Sequence, residues 1–593
     1  MHGPHGPTQT LRRAIGLSSA ALVVLAGGLT GCSSPFGESN RDITERSVLD
    51  AVRREMILAQ QTPDYRPTLR DSTVDSLEIP DRRMDELNEL SGPTSYAEVD
   101  SEVSEDLLGA SQVSVRIGLE RAIRSAAERN LTLQFQRLAP AISEAQLVQA
   151  LANFDWTFFV NGQYQYLDQP RTSTTFFGAA VNTLQQSDVS TGLRKSTTTG
   201  GTFQLDTTWT WSQNETPGLE VFPDPANTVT VGAQLTQPLL RGAGSDVARA
   251  TVRLAANNER NAVQALKSTL ISTIQQTEEA YWNLQLANES LRVQQRLLRR
   301  GEGVRDIIVN RGDLDATQAE IADARAEVES RRAAVIRAER SLRSASDQLK
   351  VLINDPDLTI GSELLLLPAD GAVEEPIRYS LADALTTAFA ERPEVAQAII
   401  SLENTGIRKQ VARNGILPRL DLNLEARYSA LGARPNDAYD DVFDGNFIDY
   451  LVGLAFEQPI GNRLANANLR EAQLEQMQAI TSYQNTIQQV TLEVKNALRD
   501  VVTGFQLIEQ TRTARVAAAE NLRALRVQIE TTGGYTAFNL DQWLNRQALL
   551  AAAELEEVQS LISYNIAVAR LHSVLGTTLT RNNIEFEVEN AAD

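Results

Sequence analysis

The side chains that most often carry covalent chemistry are scarce in this chain. Among 593 residues there are 3 histidines, His2, His5 and His572, and a single cysteine, Cys32. A histidine triad or a histidine metal cluster needs several such groups to converge, and two of the three precede an apolar run with the layout of a secretory signal. One cysteine excludes a disulfide within the chain and thiol catalysis anywhere else. Gly242-Ala243-Gly244 stands ahead of a helical tract, as a phosphate-binding loop would. It lacks the third glycine and the lysine, so it reads as a strand-to-helix turn. With 4 methionines a thioether copper path has little support, and Arg311-Gly312-Asp313 reads as a chance tripeptide in a helix-hairpin turn. Carboxylates follow two glycine turns: Asp313 and Asp315 after Gly312, and Asp541 after Gly533-Gly534. A helix N-terminus favours such residues through its dipole. Catalytic readings fail on this inventory, and no cofactor or metal is expected.

The elements that must hold those turns come in two copies, a first from about residue 115 to 355 and a second from about 380 to 578. Each runs short helix, strands of alternating polarity, a Gln-Pro marker (Gln237-Pro238, Gln458-Pro459), then a long proline-free tract. No proline falls between Pro238 and Pro356, and none follows Pro459. Proline costs about 3 kcal/mol inside a helix, so such spans permit very long helices. Leu270, Leu284, Leu291 and Leu298 share a seven-residue frame beside Leu266, Ala280 and Ala287. Ile487, Val494, Val501 and Ile508 share another, beside Val490 and Ala497. This is a coiled-coil pattern whose small residues allow close approach. A helix over residues 246–309 would be roughly 95 Å long at 1.5 Å per residue, a reach that suits crossing a periplasm.

Ahead of each tract the period changes to two. Trp156, Phe158, Val160, Tyr164 and Tyr166 share one face, with Thr157, Asn161, Gln163 and Gln165 opposite. Phe203, Leu205, Trp209 and Trp211 oppose Gln204, Asp206, Thr208 and Thr210. Val229, Val231, Ala233 and Leu235 oppose Thr230, Gln234 and Thr236. In the second copy Leu420, Leu422, Leu424 and Tyr428 oppose Asp421, Asn423, Glu425 and Arg427, and Ile448, Tyr450, Val452, Leu454 and Phe456 form a return face. An apolar outer face, a polar lumen face and terminal aromatics are what a transmembrane β-barrel requires. A soluble sandwich shows the same alternation, but its strands are not flanked by helices of this length. Strands must begin and end on the helical side, so three good strands in the first copy call for a fourth. Residues 189–196 are the candidate, around a turn at Thr199-Gly200-Gly201, which leaves four or six strands per chain. Neither number closes a barrel alone, since the smallest need about eight, so the chain must oligomerise.

A formal charge of -21 and a pI near 4.8 argue against nucleic acid as a partner. Residues 33–112 hold 18 Asp/Glu against 8 Arg and no Lys, with scattered Pro, Ser and Thr, and read as an extended arm with one helix near residues 43–60. Arg12 and Arg13 precede the apolar run 14–29, and Leu29-Thr30-Gly31-Cys32 resembles a lipobox, whose cysteine is lipidated and becomes the mature N-terminus. Ser33 resembles sorting to the outer membrane. The expected organisation is a signal at 1–31, the acidic arm at 32–112, a first repeat at 113–356, a linker at 357–378, a second repeat at 379–578 and a polar tail at 579–593.

Several motifs now point one way. Gln237-Pro238-Leu239-Leu240-Arg241-Gly242-Ala243-Gly244 resembles the strand-to-helix signature of TolC-like outer-membrane efflux proteins. Glu391-Arg392-Pro393-Glu394-Val395 resembles the family's Arg-Pro motif, Leu417-Pro418 its entry to the next strand, and Ala280-Tyr281-Trp282 and Leu575-Gly576 also fit. The resemblance covers about residues 113–578. It implies a mixed α and transmembrane β fold, a duplicated helix-strand-long helix repeat. Three copies would share one outer-membrane β-barrel, continued by a periplasmic α-helical coiled-coil barrel. It implies a homotrimer in outer-membrane lipid, a periplasmic adaptor and an inner-membrane RND or ABC transporter. Family turns lie at the periplasmic tip, with acidic residues ringing the entrance, which makes Gly312, Gly533, Gly534 and Tyr535 candidate adaptor-docking residues and Asp313, Asp315 and Asp541 a candidate periplasmic gate. Like charges repeated around a symmetric pore raise the local potential and favour cations. The chain departs from the family in two respects: its first copy exceeds the usual two strands per repeat, and Asn539 and Gln542 stand where aspartates are common, with Asp541 between. The expected function is a passive exit channel; the alternative is a periplasm-spanning structural lipoprotein without an open lumen.

Overall fold

The computed structural model describes residues 40–60, 79–92, 103–105, 109–170, 181–216, 220–311, 317–444, 447–534 and 536–586. The described residues open with two helices, α1 (Asn40–Ala59) and α2 (Asp81–Ser91). The first copy then runs β1 (Ser114–Ile117), α3 (Leu119–Arg129), α4 (Leu131–Leu151), β2 (Thr157–Pro170), β3 (Val181–Ser196), β4 (Thr202–Asn214), β5 (Ala226–Pro238), a short α5 (Ser245–Ala248), α6 (Ala250–Asn310) and α7 (Gln318–Ile353). The second runs β6 (Leu365–Pro368), α8 (Leu381–Glu391), α9 (Pro393–Gly415), β7 (Arg419–Gly432), α10 (Pro435–Phe443), β8 (Ile448–Glu457), α11 (Arg463–Gln528), a π turn at Ile529–Gly533, α12 (Ala537–Leu575) and α13 (Thr578–Arg581).

The six longer strands form one antiparallel sheet in the order β2-β3-β4-β5-β7-β8. Strand parity is thereby settled: the missing strand of the first copy is β3, longer than the segment its weak alternation suggested. Polar residues on both faces of β3, such as Gln185 and Ser187 opposite Gln186 and Asp188, hid it. The register nevertheless carries one face across the whole sheet, as in the row Phe158, Leu193, Leu205, Ala233, Ala426, Tyr450. A one-residue slip would invert every side chain, so this row fixes which face is apolar.

α6 has 61 residues and α11 has 66, roughly 90 to 100 Å each at 1.5 Å per residue. α6 begins at Ala250 rather than near residue 246, because Arg249 (φ -94°, ψ 8°) separates it from α5. The heptad frames are buried as their spacing requires: Ile487, Val494, Val501 and Ile508 in α11, Leu270, Leu284 and Leu291 in α6. α7 carries a frame of its own, with Val328, Val335, Leu342 and Leu349 buried. Near the sheet the helices stand in the row α4, α6, α9, α11, each packed on the next. Midway along, β1 and β6 pair in parallel and tie the start of the first copy to the link between copies.

The arm is more structured than its composition suggests. α1 packs against α8, α9 and α11, and α2 seats Leu87 among Val516, Ala519, Leu522 and Leu550. Burial of an amphipathic face supplies what helix propensity alone does not.

Candidate permeation path and its helical frame

The inner face of the sheet is polar and carries both signs of charge. Asp188 on β3 accepts from Thr210 Oγ1 at 2.7 Å and Gln186 Nε2 at 2.9 Å. Asp206 on β4 accepts from Gln204 Nε2 at 3.1 Å and lies between Gly192 and Gly232 on the flanking strands. A Cβ at Gly192 would come within 2.8 Å of the Asp206 Cβ and closer still to the Leu205 carbonyl oxygen, so glycine here lets β3 approach β4 closely. On β7, Arg427 pairs with Glu425. Outside, Trp156 just ahead of β2, Phe158, Val160, Tyr164 and Tyr166 on β2 and Tyr450, Val452, Leu454 and Phe456 on β8 are all more than half exposed in the single chain. Val229 and Ala430 share that apolar face but are buried, because Ala438 and Val442 of α10 cover them.

The junction of sheet and helices explains the Gln-Pro signature. Gln237 donates from Nε2 to the Thr199 carbonyl at 3.2 Å and accepts from Thr199 Oγ1 at 2.8 Å. The Gly244 amide donates to the same carbonyl at 3.1 Å. Gly200 (φ +94°) then sits against Gly242, where a Cβ would be 2.2 Å from its carbonyl oxygen. The β3–β4 turn is thus clasped by the strand-to-helix turn, and neither glycine tolerates a side chain.

The other motifs fasten the helical midsection. Tyr281 is fully buried and donates to Asp370 Oδ2 at 3.2 Å while accepting from the Asp370 amide at 2.9 Å, which joins α6 to the segment after β6. Burial, with the adjacent carboxylate, pushes its hydroxyl up to about 12. Arg392 donates to Glu493 on α11 at 2.5 Å and to Glu394 at 3.2 Å, with Pro393 at the first turn of α9. Gly576 (φ +75°) ends α12 and passes so close to Glu391 that a Cβ would meet its backbone at 3.0 Å.

Between midsection and tip lies a set of buried charges that sequence reading missed. Arg296 pairs with Glu554 at 3.1 Å, and Arg515 with Glu557 at 2.5 Å. Burial raises the Glu554 carboxyl, against the lowering pull of Arg296, Arg300 and Arg515. Arg331 is buried among Gln547 Oε1 (2.9 Å) and the carbonyls of Leu297 (3.0 Å) and Leu544 (3.2 Å). Arg296 and Glu554, like Arg331 and Gln547, lie more than two hundred residues apart and leave no local signature. The one available clue is a charged residue falling on a heptad seam.

At the tip, Val304 and Ile308 of α6, Ile321 and Ala324 of α7 and Leu540 of α12 form one apolar cluster. This brings the end of α6, the start of α7 and the start of α12 together. Asp541, next to Leu540, is exposed and accepts from Asn545 Nδ2 at 3.2 Å. Gly533 closes the π turn. Gly534 follows at φ +57°, and its carbonyl accepts from Asn539 Nδ2 at 2.9 Å. Thr536 caps α12 through the Asn539 amide at 3.3 Å. Asn539 is therefore a structural residue of the turn. Cys32, Gly312, Asp313, Asp315 and Tyr535 lie outside the described residues. Among the described residues no group of three or more His, Cys, Asp or Glu is placed to hold a metal ion, and no helix is long and apolar enough to cross a membrane.

A family model described as "Outer membrane efflux protein" matches residues 202–355 and 384–577, more than half of the chain. The chain belongs to the outer membrane efflux protein family. A relative, the pyoverdine export outer membrane protein OpmQ of Pseudomonas putida, is 26% identical over 304 residues. That match spans 49% of this chain and 61% of the relative, less than two thirds of its length. The fold resembles the CmeC outer membrane channel of Campylobacter jejuni (TM-score 0.56, 17% identity, 83% of this chain and 92% of that one). It also resembles the open state of the MtrE outer membrane channel of Neisseria gonorrhoeae (TM-score 0.55, 20% identity, 81% and 96%). This efflux family member thus has the mixed helical and strand architecture of TolC-like channels.

Proposed function

We propose that the protein is the outer-membrane exit duct of a tripartite efflux or type I secretion system. In this reading a homotrimer, anchored through lipid on Cys32, conducts cargo passively to the exterior from an inner-membrane RND or ABC transporter joined by a periplasmic adaptor. One observation carries it: a sheet with an apolar outer face and a polar inner face runs directly into helices of 61 and 66 residues. The sheet suits lipid outside and water inside, and the helices have a length no ordinary soluble core needs. The chain brings no energy source of its own, which makes conduction passive and assigns the work to the pump. Cargo choice then belongs to the partner as well.

The tip turns, with Gly312, Gly533, Gly534 and Tyr535, are the adaptor-docking surface in this reading. Asp313, Asp315 and Asp541, repeated in three copies, set a cation-favouring constriction there. The test is the conductance of the purified full-length oligomer in a planar bilayer, alongside its mass. Discrete, cation-preferring steps from a trimer are expected. A stable oligomer that inserts and never conducts, even with loosened tips, would replace the duct by the periplasm-spanning scaffold.

A further inference from the structure

We infer that the assembled protein closes a barrel of eighteen strands, six from each of three copies, rather than the twelve that two strands per repeat would give. The inference rests on the exit-duct reading for its copy number; the six strands and their mode of closure come from the chain itself. β2 pairs only with β3 and β8 only with β7, so the described sheet ends in two bare edges. An open edge in hydrocarbon leaves a row of unsatisfied amides and carbonyls, which only another strand satisfies. Six is an even number, so β2 and β8 run in opposite directions and join antiparallel between copies, extending the pattern of the sheet.

The helices below carry the same closure. In the row α4, α6, α9, α11, the end member α4 leads into β2 and the other, α11, leaves β8. α4 exposes Leu131, Phe135, Leu138 and Ile142 on one face at spacings of three and four, and α11 exposes Leu464, Leu474 and Met477 near β8. A second copy that joins β8 to β2 brings these two apolar surfaces together.

The added strands belong to the wall. The family match begins at Thr202, the first residue of β4, so β2 and β3 lie outside it. Yet the β3–β4 turn is locked into the strand-to-helix junction through Thr199, Gln237 and Gly244. β2 and β3 also continue both the apolar outer face and the polar inner face, where they contribute Gln163, Asp188 and Ser190. Barrel diameter grows roughly linearly with strand number, so the mouth is about 1.5-fold wider than a twelve-stranded one.

Cysteine pairs in the full-length protein test the closure. One member is placed on β8 (Tyr450→Cys, Val452→Cys or Leu454→Cys), the other on β2 (Val160→Cys or Tyr164→Cys) or on β4 (Leu205→Cys or Trp209→Cys), all on the outer face. A short bifunctional thiol reagent should link β8 to β2 between copies and give a trimer mass, and end-on electron microscopy should count eighteen strands. Removing residues 157–196 should narrow the mouth by about a third, read by the largest polymer admitted from the exterior. Links from β8 to β4, or a copy number other than three, overturn the eighteen-stranded barrel while conductance of the same preparation upholds the duct. A linked β8–β2 trimer that never conducts overturns the duct and upholds the barrel.

Discussion

Arg515 and Glu557 form a buried ion pair, 2.5 Å from Nε to Oε2, that is completed by a helix more than four hundred residues earlier in the chain. The remaining guanidinium nitrogens donate to Ser91 Oγ at 3.1 Å and Asn88 Oδ1 at 3.2 Å. Arg515 thus fastens the acidic arm to the long helices. Arg515→Ala leaves the Glu557 carboxylate buried with only Arg512 beside it and should cost about 3 to 5 kcal/mol locally. Hydrogen exchange should show residues 81–91 losing protection before the rest of the molecule. Unchanged protection there would mean that Leu87 packing alone holds α2.

Gly301, near the end of α6, meets Arg331 of α7. A Cβ at position 301 would lie 2.7 Å from Arg331 Nη1, whose partners are Gln547 and the Leu297 carbonyl. Alanine gains about 1 kcal/mol of helix propensity but displaces a buried cation, whose unmade hydrogen bonds cost about 1 to 3 kcal/mol. Gly301→Ala should therefore lower the thermal midpoint of the assembled protein, where an exposed helical glycine would raise it.

Gly200→Val should block assembly rather than merely weaken it. The position has φ +94° and a Cβ there would stand 2.2 Å from the Gly242 carbonyl oxygen, so both backbone strain and a clash oppose the change. The measurement is the fraction of protein that migrates as a heat-modifiable, protease-resistant oligomer from outer membranes. Gly162→Ala, with open space around its Cβ, should leave that fraction intact.

His572 supplies an acid limb. Burial, helped by Arg581, lowers its value to about 4 from an ordinary 6.5. Between those values the unfolded chain binds a proton that the folded chain refuses, so stability is full above about pH 6.5 and declines as pH falls toward 4. Glu278, raised by burial near the same Arg581, acts in the opposite sense: its contribution is present at low pH and fades as pH rises. His572→Gln should flatten the difference between pH 6.5 and 4 in exchange rates at the end of α12. A parallel fall in both proteins would assign the acid limb to other groups.

Charge at the tip is tested by replacing Asp313, Asp315 and Asp541 together with Asn. The expected result is a loss of cation preference with single-channel conductance retained, read from reversal potentials across a salt gradient. Selectivity that does not move would leave the three aspartates as helix N-terminal residues alone.

Much of this molecule is written in its periodicities. Alternation over residues 156–166 and 448–456 placed Trp156, Phe158, Tyr450 and Phe456 on one sheet face, and the heptads of Ile487, Val494, Val501 and Ile508 placed a helical seam, because side-chain direction repeats with the backbone. The duplicated Gln-Pro motif and the second copy's Arg392-Pro393 located the junctions. β3 was legible only through parity: its polar residues on both faces obscure its alternation, and neighbours on either side hold it in the sheet. α2 was equally hidden, since an acidic eleven-residue segment becomes helical by burying Leu87 and binding Arg515. The Arg515–Glu557 and Arg296–Glu554 pairs also belong to tertiary structure, because a charge on a seam becomes informative only when its distant partner is known. Local repetition thus determined the element types and their faces. The joining of sequence-remote segments decided the number of strands, the fate of the arm and the buried charges.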